Sequence, residues 1–329
     1  MTTLMKAIQI FEVGGPEKMT LVELDLPDPG PGQVRVRIEA TGVNFIDTYF
    51  RTGIYPAALP FTPGMEAAGV VDQLGEGVED FAEGDRVAWT GLPGAYASHC
   101  LAPVSRLVRI PDGLSTELAA ATLLQGMTAH YLTHGVRDTK PGDCALVHAA
   151  AGGTGGLLVQ LLKQAGARVI ATCGTKDKAV LARESGADEV ILYTEEDFQA
   201  RTRELTDGRG VDVVYDSVGQ STFEGSLGSI RPRGLLCLFG QASGPVPPFD
   251  LGRLNGAGSL FVTRPSLAHY ISDRESLELR SGAIYEALET GTLVQRIGGR
   301  YALADAGQAH SDLEGRGTIG KLLIVRDED

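Results

Sequence analysis

The segment from His148 to Gly156, "HAAAGGTGG", sets a glycine cluster between an apolar run and an amphipathic stretch. Such a turn lets backbone N–H groups approach a phosphate with no Cβ in the way, and a following helix adds a favourable partial charge. Two registers fit a dinucleotide turn: Ala150-x-Gly152-x-x-Gly155 and Ala151-x-Gly153-x-x-Gly156. About 20 residues farther on, an NAD site carries an acid for the ribose hydroxyls. Here "ARVIATCGTKDKA" ends in Cys173-Gly174-Thr175, followed by Lys176 and Lys178. A hydroxyl, backbone N–H groups and ammonium groups suit a 2′-phosphate, which a carboxylate would repel. NADP is therefore expected over NAD, with Asp177 the one neighbour of opposite sign.

Other chemistry has thinner support. His130 and His134 stand at i, i+4, but Tyr131 follows the first, where a zinc-peptidase helix carries Glu. His148 reads as a packing or loop-bonding residue rather than a base. The chain has no Gly-x-Ser-x-Gly elbow, so an esterase of the usual type is unsupported. Asp47, Glu66 and Asp85 fall in turn-like stretches and can anchor loops as readily as act as acids. The four cysteines, Cys100, Cys144, Cys173 and Cys237, show neither metal-ligand spacing nor a disulfide framework. Hydride transfer by this chain would rest on positioning rather than on a metal.

The elements that must hold these residues are legible from texture. At 329 residues, about two domains are expected. Up to about Ile110, short strands broken by Gly and Pro suggest a β-rich barrel or sandwich. In "QVRVRIEA", Val34, Val36 and Ile38 alternate with Arg35, Arg37 and Glu39, a half-buried strand period. "EGDRVAW" and "ASHCLAP" read as further strands. "TELAAATLLQGMTAHYLTHG" has helical spacing and a stop at Gly135. Strands then follow at 145–148, 168–172, 189–192, 211–215 and 235–239. Helices alternate with them at 157–165, 176–185, 197–205 and 222–230, which implies a parallel, doubly wound sheet. After about Ser266 come an amphipathic helix, "RESLELRSGAIYEALETG", and a closing strand, "GKLLIV", that can rejoin the first domain.

The net charge is −13, and no Lys/Arg-rich run offsets it. A nucleic-acid partner is not expected. No apolar run approaches the roughly 20 residues of a membrane span, and no signal-peptide core is evident. With scattered single thiols, the expected compartment is the cytoplasm.

At this point the sequence resembles a known family over nearly its whole length. The stretches "GVNFIDTYFRTGIYP", "TPGMEAAGVV", "GAYASH", "HAAAGGTGG", "VVYDSVG", "GSLFVTRPSL" and "GRGTIGKLLIV" are similar to those of the zinc-independent, zeta-crystallin-like NADPH:quinone oxidoreductases. These belong to the medium-chain dehydrogenase/reductase superfamily. Zinc-containing members place a Cys ligand where this chain has Asn44, and Gly-His-Glu where it has Gly64-Met65-Glu66. Their cysteine-rich lobe would fall near the short "TGLP" link.

The resemblance implies an α/β fold: a Rossmann doubly wound parallel sheet plus a GroES-like β-rich catalytic domain. It implies domains at 1–122, 123–266 and 267–329, the last returning to the catalytic domain, with the cofactor in the cleft between the two. It selects the Ala150/Gly152/Gly155 register, with Gly153 and Thr154 at the pyrophosphate. Gly174, Thr175, Lys178 and Tyr193 match positions that hold the 2′-phosphate. Ser217, Phe239, Gly240, Phe261, Thr263 and Arg264 match positions along the rest of the cofactor. Asn44, Asp47, Tyr49 and Thr128 match its nicotinamide end, and Arg316 comes from the C-terminal segment. Asn44, Tyr49 and Arg264 are expected to orient and polarise the acceptor oxygen of a quinone. A homodimer formed through the Rossmann sheet edge is also implied. The alternatives are an NADPH-dependent enone or alkenal reductase on the same fold, and a crystallin-like protein that binds NADPH without turnover.

Overall fold

In the computed structural model, residues 3–326 are described. The chain divides into two compact units, one running to Gln125 and resuming at Asp273, the other spanning Gly126–Ser272.

The first unit opens with a hairpin of β1 (Leu4–Ile10) and β2 (Met19–Asp25). Next come β3 (Gln33–Val43), α1 (Phe45–Arg51), β4 (Glu66–Leu74), β5 (Arg86–Thr90), β6 (His99–Pro103) and β7 (Val108–Arg109). The expected alternation is present in β3: Val34, Val36 and Ile38 are buried, while Arg35 and Arg37 stay partly exposed. From Ala40 onward the strand is buried on both faces. The long apolar helix α2 (Thr116–Tyr131) crosses the boundary between the units.

In the second unit, strands and helices alternate strictly at first. They are β8 (Cys144–Val147), α3 (Gly153–Gln164), β9 (Arg168–Cys173), α4 (Lys176–Glu184), β10 (Glu189–Leu192), α5 (Phe198–Leu205), β11 (Val211–Asp216), α6 (Phe223–Ser229) and β12 (Ile230–Leu238). Two short helices, α7 (Gly252–Gly256) and α8 (Leu267–Tyr270), flank β13 (Phe261–Thr263). The six strands pair in parallel in the order β10-β9-β8-β11-β12-β13. The strand order reverses between β8 and β11, the crevice where doubly wound sheets take their ligands. Leu146, Ile170, Val214 and Leu236 fill the core along those strands.

The returning segment supplies α9 (Arg274–Glu289), β14 (Ile297–Tyr301), α10 (Ala306–Glu314) and β15 (Lys321–Val325). In the seven-stranded sheet of the first unit, β15 lies antiparallel to β3, with Leu322 opposite Val43. The closing strand thus completes the sheet begun near the N-terminus.

One helix end differs from expectation. α2 does not stop at Gly135; it runs into a π-helical turn, Leu132–Val136. Side chains take over its carbonyls: the Tyr215 hydroxyl donates to Leu132 O, and the Thr139 hydroxyl donates to Thr133 O. The Tyr131 ring stacks on Tyr270 at 4.4 Å between centroids. These tertiary partners stabilise a turn that glycine alone would have ended.

Candidate active site

The glycine turn links β8 to α3, with Gly152 as the N-cap. The crowding falls on Gly155. A Cβ there would run into the carbonyl oxygen of Ala149 and come within 2.9 Å of the Ala150 Cα. At Gly156 the nearest atom would be 3.6 Å away, ordinary contact distance. Of the two registers, the one ending at Gly155 carries the glycine that helix–strand packing demands.

Gly174 and Thr175 follow β9, and Tyr193 follows the adjacent parallel strand β10, where Leu192 pairs with Cys173. A Cβ at Gly174 would lie 2.5 Å from the Tyr193 hydroxyl, so the missing side chain is what lets the phenol close over this turn. Thr175 caps α4, its hydroxyl oxygen accepting from the Lys178 N–H at 3.3 Å. A hydroxyl, a phenol and a helix N-terminus thus lie at two neighbouring strand ends, with Lys178 in the first turn of that helix, residue types suited to a phosphate.

Ser217 follows β11 and Phe239–Gly240 follow β12, again neighbouring strand ends, with Asp216 opposite Leu238. A Cβ at Gly240 would lie 2.5 Å from Ser217 O. Thr263 ends β13, and Arg264 is exposed just beyond it. Thr128 is buried in α2. Phe261 stands apart from this set, at the amino end of the edge strand, and is 63% exposed.

His148 is buried between the Thr172 hydroxyl (2.9 Å) and the Ser226 hydroxyl (3.0 Å). Ser226 donates its own hydrogen to Asp216, so the His148 Nε2–H donates to Ser226 and Nδ1 accepts from Thr172. This is a bonding role under the glycine turn. The rings of His130 and His134 lie 4.8 Å apart, and no cluster of three metal-ligating side chains occurs among the described residues.

In the first unit Asn44 begins α1, and its amide is held on every side. Nδ2 donates to Gly42 O and to Glu66 Oε2, each at 3.0 Å, while Oδ1 accepts from the Lys321 ammonium at 2.7 Å. That ammonium lies 2.6 Å from Glu66 Oε2, and both side chains are fully buried. Both amide hydrogens of Asn44 are therefore committed internally, and it has none left to polarise an acceptor oxygen. The expected donor role moves away from this residue.

Asp47 is fully buried one helical turn on. Its Oδ2 accepts from the Asn44 N–H at 2.9 Å and the Tyr96 hydroxyl at 3.2 Å, and its Oδ1 has no partner. Burial drives its pKa up to about 7, against the pull of the Asn44 N–H and Lys321. Behind it runs a directed chain. Arg51, paired with Glu314 at 2.8 Å, can only donate, so the His310 Nδ1 that faces it at 3.4 Å must accept. His310 Nε2–H then donates to the Tyr96 oxygen (2.9 Å), and Tyr96 donates to Asp47. Burial, then Arg51, press the His310 pKa down to about 3, which keeps the ring neutral. Tyr49, on the same helix, is buried with its ring edge-on to Tyr55 at 5.4 Å. Arg316 lies exposed in the turn after α10, at a φ of 57°.

Sequence reading missed Lys321, Tyr96, Arg51 and His310. One signal was available: a lysine opening the otherwise apolar strand "KLLIV" must bury its charge or leave the strand. His310 carries no such local mark.

Two family models match: "Zinc-binding dehydrogenase" over residues 153–273, and "Alcohol dehydrogenase GroES-like domain" over residues 30–112. The side chains do not fit the zinc of the first description. Asn44, Met65 and Glu66 offer an amide, a thioether and one carboxylate, and the cation at that carboxylate is the Lys321 ammonium. The chain is 44% identical over 322 residues to a quinone oxidoreductase of Pseudomonas aeruginosa, covering 97% of this chain and 99% of that one. It is 42% identical over 331 residues to a 2-haloacrylate reductase of Burkholderia sp, covering 98% and 99%. The solved structure of Escherichia coli quinone oxidoreductase complexed with NADPH superposes with a TM-score of 0.95 at 42% identity, covering 97% of this chain and 99% of that chain. With the parallel sheet, the GroES-like unit and these full-length likenesses together, the chain belongs to the quinone oxidoreductases of the medium-chain dehydrogenase/reductase superfamily.

Proposed function

We propose that this protein is an NADPH-dependent quinone reductase that works without zinc. The observation that carries the reading is the likeness, over 97% of the chain, to quinone oxidoreductases, one of them solved with NADPH. The second unit is the NADP-binding domain and the first the catalytic one. Gly152, Gly153, Thr154 and Gly155 would take the pyrophosphate, and Gly174, Thr175, Lys178 and Tyr193 the 2′-phosphate. Ser217, Phe239, Gly240, Thr263, Arg264 and Arg316 are assigned along the remaining length, and Asn44, Asp47 and Thr128 to the nicotinamide end; Phe261, at the other end of its strand, is not.

When bound, NADPH supplies the reducing equivalents. The chain's own task is to hold the acceptor and meet the charge that develops on its oxygen. Tyr49 and Arg264 are the proposed donors to that oxygen. Asn44 contributes through the turn it begins. The partner is a small-molecule quinone, and the net charge of −13 speaks against nucleic acid. The proposed location is the cytoplasm, on the scattered single thiols; no helix among the described residues is long and apolar enough to cross a membrane. The β13 edge, with Phe261 63% and Val262 40% exposed, supports a homodimer built by strand addition.

The test is steady-state NADPH oxidation with 1,4-benzoquinone, a naphthoquinone and a 2-alkenal. Quinone turnover is expected, and exclusive turnover of the alkenal would overturn the assignment. A second reading has one specific support, the 42% identity to a 2-haloacrylate reductase, which makes reduction of an activated carbon–carbon double bond the alternative outcome.

A further inference from the structure

We infer that Lys321 is a positioning residue for the reaction: its ammonium, acting with Glu66, locks the Asn44 amide and the start of α1 in a single orientation. The reading rests on the proposed function only in taking that turn to be the one that faces the reacting groups.

The inference comes from the chemistry of the three groups. An ammonium only donates, and a carboxylate only accepts. An amide placed between them has one satisfied orientation, and a flipped Asn44 would turn its N–H toward the ammonium and its oxygen toward the carboxylate. Lys321 Nζ meets Asn44 Oδ1 at 2.7 Å, and Glu66 Oε2 meets Asn44 Nδ2 at 3.0 Å. The second carboxylate oxygen accepts from the Leu124 N–H at 2.6 Å. Four elements, β4, α1, α2 and β15, are thereby referred to one carboxylate.

The surroundings are built for this cation. Lys321 and Glu66 are both fully buried, although a buried ion pair is a poor source of net stability and apolar side chains would fill the space at less cost. Gly42 leaves the room. A Cβ there would collide with Glu66 Oε2 and lie 2.8 Å from the Lys321 Cε. What an apolar replacement could not supply is direction, which a helix start carrying Asp47 and Tyr49 needs.

The test compares Lys321→Met with the neutral double variant Lys321→Met/Glu66→Gln. Lys321→Met leaves a buried carboxylate unpaired and should lower the melting temperature. The double variant should recover much of that loss. Its kcat should nevertheless stay down by about 100-fold, the scale of a misplaced reacting geometry, with NADPH affinity changed by less than about threefold. Recovery of kcat in step with melting temperature would reduce the pair to a structural role and overturn the inference.

A second readout needs no turnover. The chain holds two asparagines, Asn44 and Asn255, so selective 15N-asparagine labelling shows two side-chain amides. The Asn44 amide hydrogens should exchange at least about 100-fold faster in the double variant than in the wild type. Unchanged protection would also overturn the inference. Should the double variant fail to fold, Gly42→Ala, which crowds the ammonium and removes no charge, is read in the same two ways. If the wild type reduces the alkenal and no quinone, the quinone reading fails. The Lys321 comparison is then made with the alkenal.

Discussion

The two units each bury a carboxylate in a polar cluster beside their proposed site residues, and they satisfy it with different donors. In the first unit a carboxylate and an ammonium meet at 2.6 Å with no solvent exposure, and they hold an amide between them. In the second, the buried Asp216 carboxylate accepts from the Thr222 and Ser226 hydroxyls and from the Val218 and Gly219 N–H groups, while His148 links Ser226 to Thr172. Burial lowers the His148 pKa against the pull of Asp216. The second unit makes its binding surface largely from backbone, where Gly155, Gly174 and Gly240 let neighbours approach to distances no Cβ would allow. Losing one member of the buried ion pair strands the other charge, whereas losing one hydroxyl of the second cluster removes single hydrogen bonds and leaves the carboxylate its other donors. Backbone surfaces fail differently, by crowding.

These contrasts order the expected effects. Lys321→Met should cost the most stability, about 3–5 kcal/mol, because it strands the Glu66 carboxylate in the interior. Chemical denaturation measures this, and a loss below about 1 kcal/mol would show that the first unit is no more brittle than the second. Gly155→Ala should come next, weakening NADPH binding by roughly 30-fold or more through the forced shift of the Ala149 carbonyl. Gly156→Ala, whose added methyl would sit at ordinary contact distance, should bind normally and serves as its control.

Lys178→Glu should weaken NADPH by roughly tenfold to a hundredfold, the worth of a charge-assisted contact, and leave NADH nearly unaffected. Equal losses for both cofactors, read by fluorescence titration, would remove Lys178 from the 2′-phosphate site.

The pH dependence sharpens the comparison within the first unit. Asp47 titrates at about 7 when folded and near 4 when unfolded, so between those values the folded state holds the extra proton. Its contribution to stability therefore falls as pH rises from about 4 to about 7, by about 1.4 kcal/mol per pH unit. His310 runs the other way: at about 3 folded and near 6.5 unfolded, it leaves the extra proton on the unfolded chain. Its contribution rises over about pH 3 to 6.5 with the same slope. The two cancel over much of the acid range. Asp47→Asn should leave a stability that climbs more steeply with pH than the wild type, and His310→Gln one that climbs less. Superimposable wild-type and variant slopes would show that neither group holds its shifted pKa. Ser226→Ala in the second unit should cost least, about 1–2 kcal/mol, by leaving the His148 Nε2–H without an acceptor.

The parallel sheet was the most legible part of this protein. The sequence reading places a strand at 189–192, where β10 runs, and most of the other strands and helices of the second unit lie within a few residues of expectation. The exceptions mark where tertiary partners act. β12 extends back to Ile230, beyond the apolar run that begins at Leu235, and pairs through Val211 opposite Ile230. In the first unit α1, β14 and α10 went unread, because short elements carry too few repeats to declare a period.

Composition and local pattern alone determined the acidic, βαβ-alternating chain, the glycine turn and the absence of an acid after β9. Each of these is written in neighbouring residues, and a turn or a helix cap acts over the same short range. Only the tertiary structure decided that Gly155 rather than Gly156 is the crowded glycine, and that Asn44 has no hydrogen left to donate. It alone brought Lys321 to Glu66 across 255 positions of sequence and His310 to Tyr96 across 214. A buried charge has no local signature beyond its own letter. Its partner is chosen by whichever strands the sheet brings together, and here β15, the closing strand, makes that choice.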